Sequence, residues 1–160
     1  GGGQESGHRS GTENVASIVG LGKACEIACK NMEQKIHYVK KMRDTLAETI
    51  LREVPGSFVN GGDWKEEDTP LKRLPGNLNI TLPGIQASEL VAKLDAKGIC
   101  ISTASACSAH HDHPSHVLEN IGLTEEEARS TIRLTLGTDN HPGQIPYVVT
   151  QLRQLTRKPK

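Results

Sequence analysis

Cys107 stands in Ser102-Thr-Ala-Ser-Ala-Cys-Ser-Ala109, a run of small residues with no bulky apolar neighbour to bury a thiol. A thiol on such a loop is accessible, and nearby imidazoles raise its thiolate fraction, so Cys107 is a candidate nucleophile. The imidazoles follow at once, because His110-His111-Asp112-His113-Pro114-Ser115-His116 places four histidines in seven residues. Zinc is one chemistry open to such a cluster. The spacing matches no closed structural site, however, and Pro114 splits the ligand-bearing stretch, so solvated histidines tuning the thiol are the preferred reading and no metal ligand is assigned. Arg133 is the third candidate. In Thr131-Ile-Arg-Leu-Thr-Leu136 the alternation turns Ile132, Leu134 and Leu136 inward and places Arg133 on the opposite face with Thr131 and Thr135. A guanidinium on a rigid strand suits two-point capture of a carboxylate; the competing reading is an arginine on a solvated sheet face. The opening residues 1–14 combine glycines, the Thr12 hydroxyl and the start of a helix, a weak pattern for phosphate binding through backbone N–H groups. It is not a Walker loop, since no Gly-Lys-Ser/Thr follows. Of the other thiols, Cys100 is expected in a strand core, and Cys25 and Cys29, one turn apart, are expected to pack a helix as small hydrophobes.

These side chains need elements to hold them. Residues 1–12 read as an extended loop rich in glycine and charge. From Asn14 the spacing turns helical, with Val15, Ile18, Val19, Gly22, Cys25 and Cys29 on one face. A second helix is predicted from about Glu33, its stripe of Ile36, Val39, Leu46 and Ile50 interrupted by Arg43, and Pro55-Gly56 stops it. Beyond it come a short strand at 57–60, a polar loop at 61–70, and a cleanly alternating strand from Asn77 to Leu82. A helix at 88–97 is closed by Gly98, and a strand resumes at 99–102. Pro114 opens a short helix ended by Gly122, Thr124 with Glu127 makes a capping box, 131–136 is a strand, and 142–157 a final helix. The fold class expected is α+β: a long N-terminal helical arm, residues 1–56, followed by a small domain, residues 57–160, of a mostly antiparallel sheet packed with helices.

Composition narrows the partners. Of 160 residues, 35% are hydrophobic and only 2% aromatic, so Leu, Ile, Val and Ala must build the core. Nineteen basic and nineteen acidic residues cancel, which gives no net field toward nucleic acid or an anionic membrane. No apolar run has the length of a membrane span. Four cysteines are too few for a dense disulfide framework and fit a reducing compartment. The cytoplasm is expected, or a mitochondrion if a targeting segment lies upstream. The chain opens at Gly1 rather than at methionine, which suggests a piece of something longer, with a cloning scar as the plainer alternative.

In combination these segments resemble a known family. Gly1-Gly-Gly-Gln-Glu5 with His8-Arg-Ser-Gly-Thr-Glu-Asn14, then Ser102-Thr-Ala-Ser-Ala-Cys107-Ser, then Pro114-Ser-His-Val-Leu118 and Ala128-Arg-Ser-Thr-Ile-Arg-Leu-Thr-Leu-Gly137, are similar in order and spacing to the NifS-like cysteine desulfurases and selenocysteine lyases. These are fold-type I, pyridoxal-phosphate enzymes of the class V aminotransferase group. The resemblance implies that Cys107 takes sulfur or selenium from L-cysteine or L-selenocysteine as a persulfide, releasing L-alanine. It implies that Arg133 binds the substrate α-carboxylate and that Thr12 binds the cofactor phosphate of the neighbouring subunit in a homodimer. A sulfur or selenium acceptor protein is the implied partner. The family holds its cofactor through a lysine in a His-Lys motif upstream of the glycine segment, and no His-Lys dipeptide occurs here. Glu5 lacks the Arg that often follows it, and Thr138 stands where many relatives have Arg.

The chain therefore reads as the C-terminal part of such an enzyme, inactive by itself without the lysine-bearing domain, with residues 1–30 exposing apolar surface. Two alternatives stand beside it: a non-catalytic split or relic subunit that docks on a partner, and a small metal-binding domain using the His110–His116 loop.

Overall fold

The structure, a computed structural model, describes residues 1–62, 64–65, 73–103 and 115–157. It divides into two compact units, Gly1–Lys35 and Ile36–Lys160. No helix among the described residues is long and apolar enough to cross a membrane.

In the first unit the opening loop is tied to itself. Gln4 Oε1 accepts from the Gly11 N–H at 3.2 Å, and Ser10 Oγ donates to the Gly2 carbonyl at 3.0 Å. A single 3₁₀ turn occupies Glu5–Gly7. Helix α1 runs Val15–Cys29, and Asn14 caps it by accepting from the Ser17 N–H at 3.1 Å, which satisfies one of the orphan donors of its first turn. Asn31 makes the turn into α2 (Met32–Glu53) at φ +58°, a left-handed conformation that asparagine tolerates. None of the α1 residues is buried, and Val15, Ile18, Val19, Leu21 and Ile27 are exposed, as expected for residues 1–30.

The second unit is built on four antiparallel strands: β1 (Phe58–Val59), β2 (Asn77–Thr81), β3 (Ser102–Thr103) and β4 (Thr131–Thr135), in the order β1-β2-β4-β3. Period-two alternation sends Leu78 and Ile80 of β2 and Ile132 and Leu134 of β4 to one face, all buried. Against that face lie Met42, Leu46, Ala47 and Ile50 of α2, Leu90 and Leu94 of α3 (Ala87–Asp95), and Ile145, Val149 and Leu152 of α6 (Gln144–Thr156). Two short helices, α4 (His116–Asn120) and α5 (Glu125–Arg129), precede β4. The capping box at Thr124 forms as the sequence predicts: Thr124 Oγ1 accepts from the Glu127 N–H and Glu127 accepts from the Thr124 N–H.

Most elements end within two residues of the sequence reading. Val39 is buried, and Met42, Leu46 and Ile50 belong to the core of the second unit, which begins at Ile36 within α2. The strand expected at 99–102 is shorter and later, at Ser102–Thr103. One close approach fixes the start of β2. A Cβ at Gly76 would lie 2.1 Å from the Leu136 carbonyl oxygen and 3.1 Å from Val39 Cγ1, while the Gly76 carbonyl accepts from the Leu136 N–H at 2.9 Å.

Candidate functional site

The sheet face opposite α2, α3 and α6 is polar. It carries Asn77, Asn79 and Thr81 from β2 and Thr131, Arg133 and Thr135 from β4, in direct register as 77↔135, 79↔133 and 81↔131. Hydrogen bonds from the Leu82 N–H to Ser130 O and from the Leu136 N–H to Gly76 O, each 2.9 Å, flank the pairing. Counting inward from them by two, the three polar pairs fall at the non-hydrogen-bonded positions, where opposite Cα atoms are about 4.5 Å apart and side chains meet most closely. Arg133 also registers with Ser102 on β3, and Asn60, just past β1, bonds through its N–H to Asn79 O at 2.9 Å. Asn60, Asn79, Arg133 and Ser102 therefore form one row across the whole sheet.

At one end of this row the polar groups are tightly joined. Asn60 Nδ2 donates to Asn79 Oδ1 at 2.8 Å and to Thr81 Oγ1 at 2.9 Å. The Thr81 and Thr131 hydroxyls are 2.8 Å apart, and Thr131 Oγ1 donates to the Glu127 carbonyl at 2.7 Å. Asn60, Thr81 and Thr131 are buried. Arg133 itself is exposed and makes no ion pair or hydrogen bond among the described residues. A cation on a rigid strand with no protein counter-charge is suited to an anionic ligand. Further along, Asn77 Oδ1 is buried with no hydrogen-bond partner among the described residues.

A second charged cluster lies at α2. Arg43 is only 3% exposed and pairs with Asp44, while Arg73 donates to the carbonyls of Asn60 and Gly61. Burial holds the Arg73 pKa below its ordinary value, the neighbouring Arg43 charge lowers it further, and Asp44 opposes both. These groups brace the segment leading into β2. A cavity of about 590 Å³ between α2 and α6, lined by Tyr38, Met42, Ile145 and Val149 among others, is on the helical side and includes no residue of the Arg133 row.

The positions of the sequence candidates can now be stated. Arg133 is on the face expected. Thr12 is exposed in the first unit and its hydroxyl has no hydrogen-bond partner among the described residues. Beside it Gly11 adopts φ +109°, and the first turn of α1 is capped by Asn14. Cys107, His110, His111 and His113 lie outside the described residues; Cys107 follows Thr103 of β3 by four positions in sequence. Among the described residues no cluster of three metal-ligating side chains is found. Two expectations for thiols are corrected. Cys100 is exposed, because β3 begins two residues after it and its backbone is outside the ladder. Cys25 and Cys29 are exposed as well, on a helix that buries none of its residues. Sequence reasoning gave no role to Asn60 and Asn79; the alternation Asn77-Leu-Asn-Ile-Thr81 placed Asn79 on the polar face, but its alignment with Arg133 depends on strand order.

Comparison with known proteins supplies the lineage. The family profile "Aminotransferase class-V" matches residues 2–148. The chain belongs to the class-V aminotransferase family. Within it, the chain is 40% identical over 163 aligned residues to cysteine desulfurase IscS 1 of Archaeoglobus fulgidus, covering 98% of this chain and 41% of that protein. It is 41% identical to cysteine desulfurase IscS of Clostridium botulinum, covering 99% of this chain and 38% of the relative. Among solved structures, a NifS-like protein from Rickettsia africae superposes with a TM-score of 0.77 at 32% identity, over 97% of this chain and 38% of the other. A structure described as SspA in complex with cysteine gives a TM-score of 0.52 at 33% identity, over 86% of this chain and 34% of that one. The chain thus spans about two fifths of the length of these class-V relatives.

Proposed function

We propose that this chain is the C-terminal part of a pyridoxal-phosphate enzyme that removes sulfur or selenium from L-cysteine or L-selenocysteine and leaves L-alanine. The observation that carries the reading is Arg133: a guanidinium on the polar face of β4 with no ion pair among the described residues, in a chain about two fifths identical to cysteine desulfurases. A relative solved in complex with cysteine supports that amino acid as the substrate class.

Arg133 holds the α-carboxylate by charge-assisted hydrogen bonds, fixing the amino acid on a strand that does not move with the loops. The cofactor, when bound, supplies the electron sink for the carbon framework. Thr12 contributes a hydroxyl to its phosphate, in the site of a second copy of the protein. Cys107, on a run of small residues, attacks the substrate sulfur as a thiolate; the bond from that sulfur to Cβ breaks, and the sulfur stays on Cys107 as a persulfide for an acceptor protein. No lysine preceded by histidine occurs in the chain, so the lysine that anchors the cofactor belongs to another segment.

The test is alanine release from L-cysteine or L-selenocysteine with added pyridoxal phosphate. The chain alone is expected to release none. Joined to a lysine-bearing partner segment from a desulfurase relative, it is expected to release alanine, with Cys107→Ala abolishing turnover. Arg133→Ala should lower kcat/KM about a hundredfold, the value of a lost charge-assisted carboxylate contact. Cys107-dependent alanine release by the chain alone would overturn the assignment of the lysine elsewhere, and an Arg133→Ala enzyme with unchanged kcat/KM would overturn the carboxylate site.

A further inference from the structure

The hydrogen bonds at the end of the Arg133 row run in one direction, and the direction follows from counting protons. Each hydroxyl has a single proton to donate. Thr131 spends its proton on the Glu127 carbonyl at 2.7 Å, so toward Thr81 it can only accept. Thr81 must therefore give its proton to Thr131, and toward Asn60 it too can only accept. An alternative contact, Thr81 Oγ1 to Asn60 Oδ1 at 3.2 Å, would need a second proton on Thr81 and is excluded. Asn60 thus presents Nδ2 to Thr81, and the same Nδ2 reaches Asn79 at 2.8 Å. Asn79 must answer with Oδ1. A backbone carbonyl three residues into α5 thereby decides which way the Asn79 amide faces.

The consequence is at Arg133. With Oδ1 committed to Asn60, the free end of the Asn79 amide is Nδ2, a donor with two hydrogens and no partner among the described residues. Asn79 and Arg133 occupy a non-hydrogen-bonded pair, the closest side-chain approach that a sheet provides. On the other flank Ser102, in register with Arg133, spends its proton on the Thr103 carbonyl at 3.0 Å, so toward the row its oxygen can only accept. One side of Arg133 therefore donates and the other accepts.

We infer that Asn79 is a second carboxylate donor: its Nδ2 bonds the substrate α-carboxylate on the β2 side of Arg133 and so sets on which side of the guanidinium the amino acid sits. The inference rests on the reading of Arg133 as the carboxylate site. An oxygen of Ser102 disfavours the anion on the β3 side, and the fixed amide favours it on the β2 side.

The experiment is a titration of the ¹⁵N-labelled chain with L-alanine, an unreactive amino acid, followed at the Arg133 Nε–H and Asn79 Nδ2–H₂ resonances, which Arg133→Lys and Asn79→Ala spectra assign. Both signals are expected to move with one Kd. Asn79→Ala should weaken binding at Arg133 about tenfold, the value of one hydrogen bond to a charged group. Asn79→Asp keeps the acceptor for Asn60 and so keeps the fold, but sets a carboxylate against Arg133 and should abolish the response. If L-alanine moves Arg133 equally in wild type, Asn79→Ala and Asn79→Asp, the role of Asn79 is overturned while that of Arg133 stands. If wild type shows no movement at Arg133 up to about 100 mM L-alanine, a concentration that detects even very weak binding, both are overturned.

Discussion

Thr81→Val and Thr131→Val test the hydroxyl chain behind the polar face, and they should not cost the same. Both positions are fully buried, so water cannot replace a lost partner. Thr81→Val deletes the hydroxyl that accepts from Asn60 Nδ2 and donates to Thr131, two bonds at 2.9 and 2.8 Å. Two net hydrogen bonds are worth about 2 kcal/mol, and one Asn60 hydrogen left dry adds about 1 to 2 more, giving about 3 to 4 kcal/mol. Thr131→Val removes a donor to Glu127 O, but that carbonyl keeps the Ser130 N–H at 3.1 Å. The freed Thr81 proton can also turn to Asn60 Oδ1 at 3.2 Å. The net loss is about 1 to 2 kcal/mol. Urea denaturation, followed by circular dichroism and by the fluorescence of Trp64, which packs against the core, reads both. With a slope of about 2 kcal/mol per molar urea, the two midpoints should differ by about 1 M. A Thr131→Val chain as unstable as Thr81→Val, or either variant within about 0.5 kcal/mol of wild type, would refute the proton order.

Three further outcomes follow from the packing and the charges. Gly76→Ala forces a methyl to within 2.1 Å of the Leu136 carbonyl, and should cost about 3 kcal/mol in a urea melt by parting β2 from the chain beyond β4. Asp44→Asn leaves Arg43, 3% exposed, without its counter-charge; since Asp44 is itself 30% exposed, a loss of about 2 kcal/mol is expected in the same assay. Glu127, held below its usual pKa chiefly by the Thr124 backbone N–H and then by the Thr124 side chain, stabilises the fold above its unfolded pKa, and this is lost as pH falls through the lowered folded value. Thermal melts between about pH 6 and pH 3 should therefore show a decline that is smaller in Glu127→Gln.

Local rules recovered much of this fold because they act over a few residues. Asn14 before α1, Thr124 with Glu127, and Gly98 after α3 each mark a helix end through one backbone group, and all three stand where the sequence places them. The alternation in 131–136 orients Arg133 by the geometry of a strand alone. What escaped is set by residues far apart in sequence. Asn60 and Thr81 are separated by 21 positions, and Thr81 and Thr131 by 50, so their bonding requires the strand order before it can be seen. The exposure of the Cys25 and Cys29 thiols escaped for a similar reason. The stripe through Cys25 and Cys29 predicts an apolar face, but whether anything covers it depends on other parts of the protein. Arg43, which breaks the α2 stripe, is legible as an irregularity and not as a buried ion: its partner Asp44 is the next residue in sequence, but its burial and the approach of Arg73, distant in sequence, depend on tertiary packing.

The two faces of the sheet explain why an arginine on a rigid strand can stand without an ion pair among the described residues. Leu78, Ile80, Ile132 and Leu134 fix β2 and β4 against three helices, so the stability of the strands does not depend on what their polar face binds. Among the described residues Arg133 accordingly makes no structural ion pair, which suits it to a ligand. A loose cation would still bind an anion from any side. Direction has to come from its neighbours, and the neighbours differ: a hydroxyl already donating at Ser102, an amide already accepting at Asn79. Neither orientation is chosen at the site itself. The first is set by the Thr103 carbonyl, and the second by a chain of three side chains that ends on the carbonyl of Glu127. Because α5 is capped at Thr124, that carbonyl is held by the helix it belongs to. Substitution at Thr131, which is buried and faces no ligand, should therefore alter carboxylate binding by releasing the Asn79 amide, whereas a purely packing role for Thr131 would leave binding unchanged.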